Sequence, residues 1–448
     1  MKKSMELEQS GKEKVAGVYG AGTLIGCLLI ALLLCFVQIS GSRMLIAACL
    51  AGFLAFHFWA CYKNDAFCVL LFFLPWSPLM RLNHSGISFF TLALLLTCLF
   101  YFQKNDFRFA LYQILLTAFL AITTLIAKGI QSDPIENNYL FFFAMILLFP
   151  CATKEICSAA SFARLTLFFA CGIIMAALSA QKAAAYPNIS RYINVDSYLT
   201  IARLSGYYWD PNFYSAHITA CLAGIQVLLS REKQRSRLLI WMILFFALIY
   251  CGMLSASKSF IVVLACLFLV WIPMLLERGN INGKIALVFG ILCAGAVFLS
   301  SSAVQKLLSI VEVRFSYASN VSELTTGRTD LWMRYFYEFT HNILLTLFGV
   351  GYTSVTLENA ASHNTIIQGV FQFGVLGFPA LCAWMAFTLK RASGSMLRYY
   401  RLNYSLLMSI GVVLPWMALD ILFFDEFFLL PIYAVIGITY SMQNAEIS

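Results

Sequence analysis

The chain has 448 residues, of which 61% are hydrophobic and only 11% are charged, and its mean hydropathy is +0.81. Soluble domains carry about 25% charged residues, so this composition excludes an ordinary soluble protein and indicates a polytopic membrane protein. The formal net charge of +9 fits a topology signal together with attraction to anionic headgroups. We therefore expect membrane lipids as partners and no nucleic acid.

Apolar runs long enough to cross a bilayer as helices recur along nearly the whole chain. We predict an all-α fold with about 12–14 transmembrane helices in a single integral membrane domain, residues 1–448. The candidate spans are 15–39, 43–62, 66–80, 87–102, 109–127, 139–152, 161–180, 213–230, 238–254, 261–277, 285–301, 366–389, 403–423 and 425–442. Those at 66–80 and 139–152 are short enough to be tilted or re-entrant.

Basic residues predict the orientation because cytoplasmic loops collect Lys and Arg. Clusters at Lys2–Lys14, Arg231–Arg237 and Lys390–Arg401 belong to one side, which places both termini in the cytoplasm. The segment after Lys14 is longer and more apolar than the core of a signal peptide, so we expect it to remain as the first span. Most of the 14 cysteines lie within spans and none forms Cys-x-x-Cys, which argues against a disulfide framework and a zinc site.

Two segments are longer than the other connections and are predicted to be extracytoplasmic, over residues 181–212 and 302–364. Long connections often carry function, so we expect the site there. The second should contain an interfacial amphipathic helix near Leu331–Phe339, where aromatic and charged residues alternate. Residues 302–364 should also lie on the membrane face opposite Arg231–Arg237.

The first long loop ends with Arg203, Asp210 and Asn212 just before a span. We expect Asp210 to cap the following helix or pair with an arginine rather than to act as a base. The aromatic run Tyr207–Trp209 favours packing and a headgroup-level belt over stacking on a sugar ring.

The second loop contains Arg328, followed by an aromatic stretch, and His363–Asn364 at the edge of a span. Two arginines on one membrane face would suit a diphosphate, because each planar guanidinium pairs two oxygens at once. An imidazole near a sugar hydroxyl could serve as a base or could orient the acceptor, and the sequence leaves both open. Four other histidines are expected to be structural: His57, His84, His217 and His341. Three acids near the last hairpin, Asp420, Asp425 and Glu426, would be costly in lipid, so they should either lie at the membrane interface, which we favour, or face a cavity.

Taken together, these motifs resemble the O-antigen ligase and O-antigen polymerase superfamily of Wzy-type, GT-C glycosyltransferases. The resemblance covers about residues 200–390 and depends on the order and spacing of the motifs. In chain order they are Arg203-Leu204-Ser205-Gly206, Asp210-Pro211-Asn212, Gly327-Arg328-Thr329-Asp330-Leu331-Trp332, Phe348-Gly349-Val350-Gly351, His363-Asn364 with Gln368, and Gly374-Val375-Leu376-Gly377.

The resemblance implies an enzyme of the bacterial cytoplasmic membrane that takes an undecaprenyl-diphosphate-linked oligosaccharide as donor on the outer face. It implies that Arg203 and Arg328 bind the diphosphate, that His363 is catalytic or orients the acceptor, and that Asn364 assists it. Asp210 and Asn212 would support the site. It also implies a glycan acceptor, no metal or other cofactor, and a flippase and a chain-length regulator as candidate partners.

The chain departs from the family at Lys258, in Ser257-Lys258-Ser259, where the family commonly has arginine. Lysine keeps the charge but lacks the bidentate fork, so Lys258 is a weaker candidate for the diphosphate.

Three other functions stay open beside the polymerase that we favour. A ligase would transfer the same lipid-linked glycan to a different acceptor. A lipid-linked oligosaccharide flippase or permease would be expected to show internal repeats and polar groups near the midplane, whereas the notable charges here fall in loops. A cell-wall glycan polymerase of the SEDS type ranks below these.

Overall fold

The computed structural model describes residues 2–82, 87–103, 109–131, 138–159, 161–190, 192–193, 204–208, 210–232, 234–277, 327–352, 357, 361–393 and 402–443, with isolated positions between 295 and 316. Its regular elements are helices. In chain order they are α1 (Lys2–Ser40), α2 (Arg43–Tyr62), α3 (Ala66–Phe73), α4 (Phe89–Gln103), α5 (Leu111–Gln131), α6 (Asn138–Ala159), α7 (Phe162–Ala183), α8 (Pro187–Ser190), α9 (Pro211–Leu229), α10 (Arg235–Leu254), α11 (Lys258–Glu277), α12 (Arg328–His341), α13 (Ile343–Phe348), α14 (Thr365–Ser393), α15 (Leu402–Val413) and α16 (Glu426–Gln443). Short 3-10 turns, Leu74–Leu79 and Leu414–Ala418, extend α3 and α15.

Nine helices in the described part of the chain are long and apolar enough to cross a membrane, namely α1, α2, α5, α6, α7, α9, α10, α11 and α14. Four shorter apolar helices, α3 with its 3-10 turn, α4, α15 with its turn, and α16, lie at other predicted spans. The chain is therefore an all-α, multi-pass membrane protein, as its composition predicts. The predicted span at 285–301 falls largely outside the described residues.

Helix α9 lies at the centre of the bundle, because every one of its 19 residues is buried. It packs against α7, α10, α11, α15 and α16. Close approach to α15 depends on Gly411, where a Cβ would lie 2.5 Å from the Cβ of Ala223, and the hydroxyl of Thr219 donates to the Gly411 carbonyl at 2.9 Å. Small residues and satisfied hydroxyls of this kind allow helices to pack in an apolar solvent.

The two ends of α9 define the two ends of the bundle. A helix of 19 residues is about 28 Å long, so Asp210 and Arg231 lie on opposite sides of the apolar region. The turn Ser255–Ser257 and the loop Ser362–Asn364 lie at the Asp210 end, which we call the site end. The His363 loop, at the end of the second long loop, therefore lies opposite Arg231.

Helix α12 forms where the sequence predicts an amphipathic helix. Only Tyr335 of α12 is buried, whereas Met333, Phe336 and Tyr337 are exposed. An apolar face of this kind suits the boundary between headgroups and acyl chains.

A pair of glycines joins α13 to α14. Gly374 interrupts α14 at φ +66, and Gly349 ends α13 at φ +70. The interruption leaves carbonyls of α14 free to accept from the segment that follows α13. The N–H groups of Val350 and Gly351 donate to the carbonyls of Phe371 and Gln372 at 2.9 and 2.7 Å. The glycines of the two motifs thus build the backbone joint that leads into the His363 loop.

Candidate functional site

The loop Ser362–Asn364 presents His363 at the start of α14. His363 has a left-handed backbone, with φ +49, which is uncommon for a residue with a side chain. The carboxylate of Asp420 accepts from the backbone N–H groups of His363 and Asn364, at 2.9 and 3.1 Å, and from the Ser362 hydroxyl. These bonds hold the loop so that about 40% of the His363 side chain is exposed.

Asn364 serves the helix that follows. Its side-chain oxygen accepts from the N–H groups of Ile366 and Ile367, at 3.0 and 3.3 Å, and the residue is buried. This is an N-cap, which satisfies donors that the first turn of a helix otherwise leaves open. The geometry therefore favours a positioning role for Asn364, beside the exposed His363, over direct contact with substrate.

Asp210 faces the His363 loop from α9. One carboxylate oxygen accepts from the backbone and side-chain nitrogens of Asn212, both at 2.8 Å, so Asp210 caps α9 as predicted. The other oxygen lies 3.9 Å from Nδ1 of His363. At 3.9 Å the carboxylate and the imidazole are neighbours in the site rather than a hydrogen-bonded pair.

Lys258 lies beside the same cluster, at the first residue of α11. The side-chain oxygen of Asn212 accepts from the hydroxyls of Ser257 and Ser259, at 2.7 and 3.3 Å, so α9 and the start of α11 are tied together on both sides of Lys258. The Ser257 and Ser259 hydroxyls are 2.8 Å apart. Asn212 is thus a supporting residue that links Asp210 to the lysine-bearing turn.

Arg328 begins α12, and Trp332 connects this helix to the His363 loop. The indole N–H of Trp332 donates to the carbonyl of Ser362 at 2.8 Å. Residues four apart share one face of a helix, and four residues span about 6 Å. Arg328 therefore lies about one turn from a direct contact with the His363 loop.

Arg203 lies outside the described residues. Its neighbour Leu204 donates its backbone N–H to the carbonyl of Leu254 at 2.9 Å. Leu204 therefore lies beside the end of α10. That end, at Leu254, is four residues before Lys258 in the chain.

The structure also identifies a residue that the sequence analysis placed elsewhere. Asp420 was expected only as an interfacial charge, yet it holds the His363 loop from 57 residues further along the chain. The sequence shows that acids lie near an apolar hairpin, but it does not show which residues these acids contact.

Contrary to expectation, Glu426 does not lie at a solvated interface, because it is only 1% exposed. Asp425 is half-buried, and its burial, with a further contribution from the Glu426 charge, raises its pKa to about 7. Of the two roles expected for the aromatic run, Tyr207 and Tyr208 show packing, because both are buried. Polar partners inside the protein, rather than water or headgroups, satisfy these side chains.

A cavity of about 210 Å³ lies between α5 and α13. It is mostly apolar and is lined by residues including Ile126, Ala127, Leu344 and Phe348. Val350, at its edge, is bonded to Phe371, seven residues into α14 from Asn364. Seven helical residues span about 10 Å, so the cavity lies deeper in the bundle than the His363 loop.

The arrangement brings an imidazole, two carboxylates and a lysine together at one end of a membrane bundle, with an arginine-bearing helix attached. Among the residues described, no group of three or more His, Cys, Asp or Glu side chains could hold a metal ion. The described groups could bind an anion and assist proton transfer at a hydroxyl. Neither a scan against protein-family models nor a search of curated proteins finds a match for this chain.

Proposed function

We propose that this protein is a glycosyltransferase that polymerises undecaprenyl-diphosphate-linked oligosaccharide repeat units on the outer face of the bacterial cytoplasmic membrane. The observation that supports it most is that Nδ1 of His363 lies 3.9 Å from a carboxylate oxygen of Asp210. This pair lies beside the turn that carries Lys258 and beside the contact between α12 and the His363 loop. A base, its carboxylate partner and cations at a membrane surface are what transfer from a lipid diphosphate needs.

The proposed step is a displacement at the anomeric carbon of the donor sugar. The acceptor hydroxyl oxygen forms a bond to that carbon, the bond from the carbon to the diphosphate oxygen breaks, and the lipid diphosphate leaves with the electron pair. The hydroxyl proton passes to a base. Negative charge grows on the diphosphate oxygen as the bond breaks, so fixed cations there lower the barrier.

The proton would go to Nε2 of His363. Asp210 would then stabilise the imidazolium from the Nδ1 side, as a carboxylate does for histidine bases in general. The same contact would orient the ring if His363 only positions the acceptor.

Three cations are the proposed ligands of the diphosphate, namely Arg203, Arg328 and Lys258. Lys258 is held beside Asn212, and Arg328 is on the helix that contacts Ser362. The apolar cavity between α5 and α13 lies deeper than the loop, on the side where the carrier's lipid chain would continue.

The test is the glycan made by a strain that lacks this chain and carries wild type or single variants. His363→Ala, Arg203→Ala and Arg328→Ala should each abolish long chains and cause single lipid-linked repeat units to accumulate. His341→Ala is the matched control, because His341 is an exposed histidine on α12 whose described bonds lie within that helix. Immunoblots of membranes would show that each variant is present at the wild-type level.

The other outcomes separate the alternatives. Long lipid-linked chains that fail to reach a final acceptor would indicate a ligase. Normal glycan in all three variants would contradict the enzyme and favour a flippase or permease. Co-purification would test a flippase and a chain-length regulator as partners.

A further inference from the structure

A second buried polar cluster lies below the candidate site and joins three elements. The hydroxyl of Tyr208 donates to the carboxylate of Glu426, and Nε2 of His217 lies 3.0 Å from the same carboxylate oxygen. The three residues are 5%, 1% and 0% exposed, respectively. His217 is seven residues into α9 from Asp210, which places the cluster about 10 Å deeper than the site.

A carboxylate buried in this way must have hydrogen-bond partners, because an unpaired buried charge is costly. Tyr208 also lies 2.6 Å from the Ser77 hydroxyl and 3.0 Å from the Leu74 carbonyl. Its ring stacks on Phe213, with centroids 5.5 Å apart. The segment that leads to Asp210 is therefore fixed to α9, to α16 and to the 3-10 turn after α3.

Asp420 lies in the short connection between α15 and α16, and Glu426 is the first residue of α16, where this connection ends. Asp420 accepts from the His363 loop, and Glu426 accepts from Tyr208, two residues before Asp210. Residues 420 and 426 therefore contact the two segments that carry His363 and Asp210.

The connection is also fastened between these two acids. The N–H groups of Ile421 and Leu422 lie 3.3 Å from acceptors on Thr365 and Gln368, in the first turn of α14. On the other side the ring of Phe424 packs on Phe213, in the first turn of α9, with centroids 4.5 Å apart. Residues 419–426 thus run across the gap between the starts of α9 and α14.

We propose that residues 419–426 are a brace that sets the separation of His363 and Asp210, and that Glu426 and Tyr208 are positioning residues for the transfer. This inference rests on the proposed function. Neither side chain contacts the reacting atoms; both act through Asp210. Loss of the bond between them releases the Asp210 side of the pair, and a shift of about 1 Å between catalytic groups can lower a rate about a hundredfold.

The test compares Tyr208→Phe and Glu426→Gln with Tyr433→Phe. Tyr433 is the matched control, because it is also a buried tyrosine with a hydroxyl bond, to Thr166 at 2.9 Å, and lies on α16 away from the site. Kinetics would be measured on purified full-length protein with lipid-linked repeat units extracted from the strain that lacks this chain.

We expect Tyr208→Phe and Glu426→Gln each to lower kcat by about ten- to a hundredfold, with little change in KM for the donor. Tyr433→Phe should lower thermal stability by a similar amount and keep kcat. In an Asp210→Asn background, Tyr208→Phe should add little further loss, since both changes then act on one contact.

Two results would overturn the brace. One is wild-type kcat in both Tyr208→Phe and Glu426→Gln. The other is a loss in Tyr433→Phe equal to theirs, which would show that any lost buried bond has this effect. In either case, inactivity of His363→Ala and Arg328→Ala would leave the proposed enzyme standing, whereas activity in those variants would remove it and the brace together. If either Tyr208→Phe or Glu426→Gln is absent from membranes, the kcat of the other variant still tests the brace.

Discussion

At the scale of single residues, the site depends on carboxylates that hold backbone and imidazole groups in place. Asp420 accepts two backbone N–H groups and a hydroxyl, which stabilises the left-handed conformation of His363. A charged acceptor binds such donors about twice as strongly as a neutral one. The position of the imidazole is therefore a property of Asp420 as much as of His363.

Asp420→Asn should lower transfer activity about tenfold or more, because an amide replaces one acceptor oxygen by a donor that faces N–H groups. The measurement is kcat with extracted donor, beside Glu338→Gln, which neutralises an exposed acid on α12. Equal activity in Asp420→Asn and Glu338→Gln would contradict the role of Asp420.

Asp425 should make stability depend on pH. Burial, followed by the Glu426 charge, raises the pKa of Asp425 to about 7, from an ordinary value of about 3.9. The protonated form is thus favoured in the folded protein, so its contribution to stability is full below about pH 4 and is lost as the pH rises to about 7. Asp425→Asn cannot ionise, so this variant should not lose stability in that way as the pH rises.

The expected result is a higher melting temperature for Asp425→Asn than for wild type at pH 8, with a much smaller difference at pH 4.5. Thermal unfolding in detergent at the two pH values measures it. A gain of the same size at both values would show that ionisation of Asp425 is not the cause.

At the scale of elements, the joint between α13 and α14 decides how the second long loop enters the bundle. Gly349 and Gly374 have backbone angles that are essentially restricted to glycine, and each lies against the backbone beside the other. A Cβ at Gly374 would lie 2.3 Å from the Leu347 carbonyl oxygen, and one at Gly349 would lie 2.3 Å from the backbone of Gln372. Neither clash can be relieved by moving a side chain.

Gly374→Ala and Gly349→Ala should therefore each destabilise the protein by about 1–3 kcal/mol from backbone strain alone, with the steric clash in addition. Gly52→Ala is the control, because Gly52 is an exposed helical glycine where an added Cβ would have nothing within 4 Å, and alanine is the better helix former. The readout is the melting temperature of the purified protein. Wild-type stability in both joint variants would contradict the importance of the joint.

At the scale of the whole molecule, the bundle separates the candidate site from the basic turn after α9. The site end carries Asp210 and the His363 loop, and the opposite end carries Arg231, whose guanidinium lies over the ring of Tyr404 at 5.9 Å. Arginine-rich ends of spans are typical of the cytoplasmic side. The site end is therefore predicted to face outward.

Cysteine labelling tests this orientation. A membrane-impermeant maleimide should label His341→Cys in intact cells and should label Gln234→Cys only after the cells are opened. Both positions are exposed. Labelling of Gln234→Cys from outside would reverse the topology and remove the outward-facing site.

The sequence by itself determined the membrane class, the helical architecture and the amphipathic character of α12, and it narrowed Asp210 to a helix cap or an arginine partner. These depend on composition, local periodicity and neighbouring residues, which a single chain displays directly.

Only the tertiary structure decided that Asp420 holds His363, that Tyr208 and Glu426 are buried together, and that the motif glycines form one joint. These contacts join residues 57, 218 and 25 positions apart. Pairing at such separations is set by how helices pack, because an acid beside an apolar hairpin looks the same in sequence whether it faces water or a buried donor.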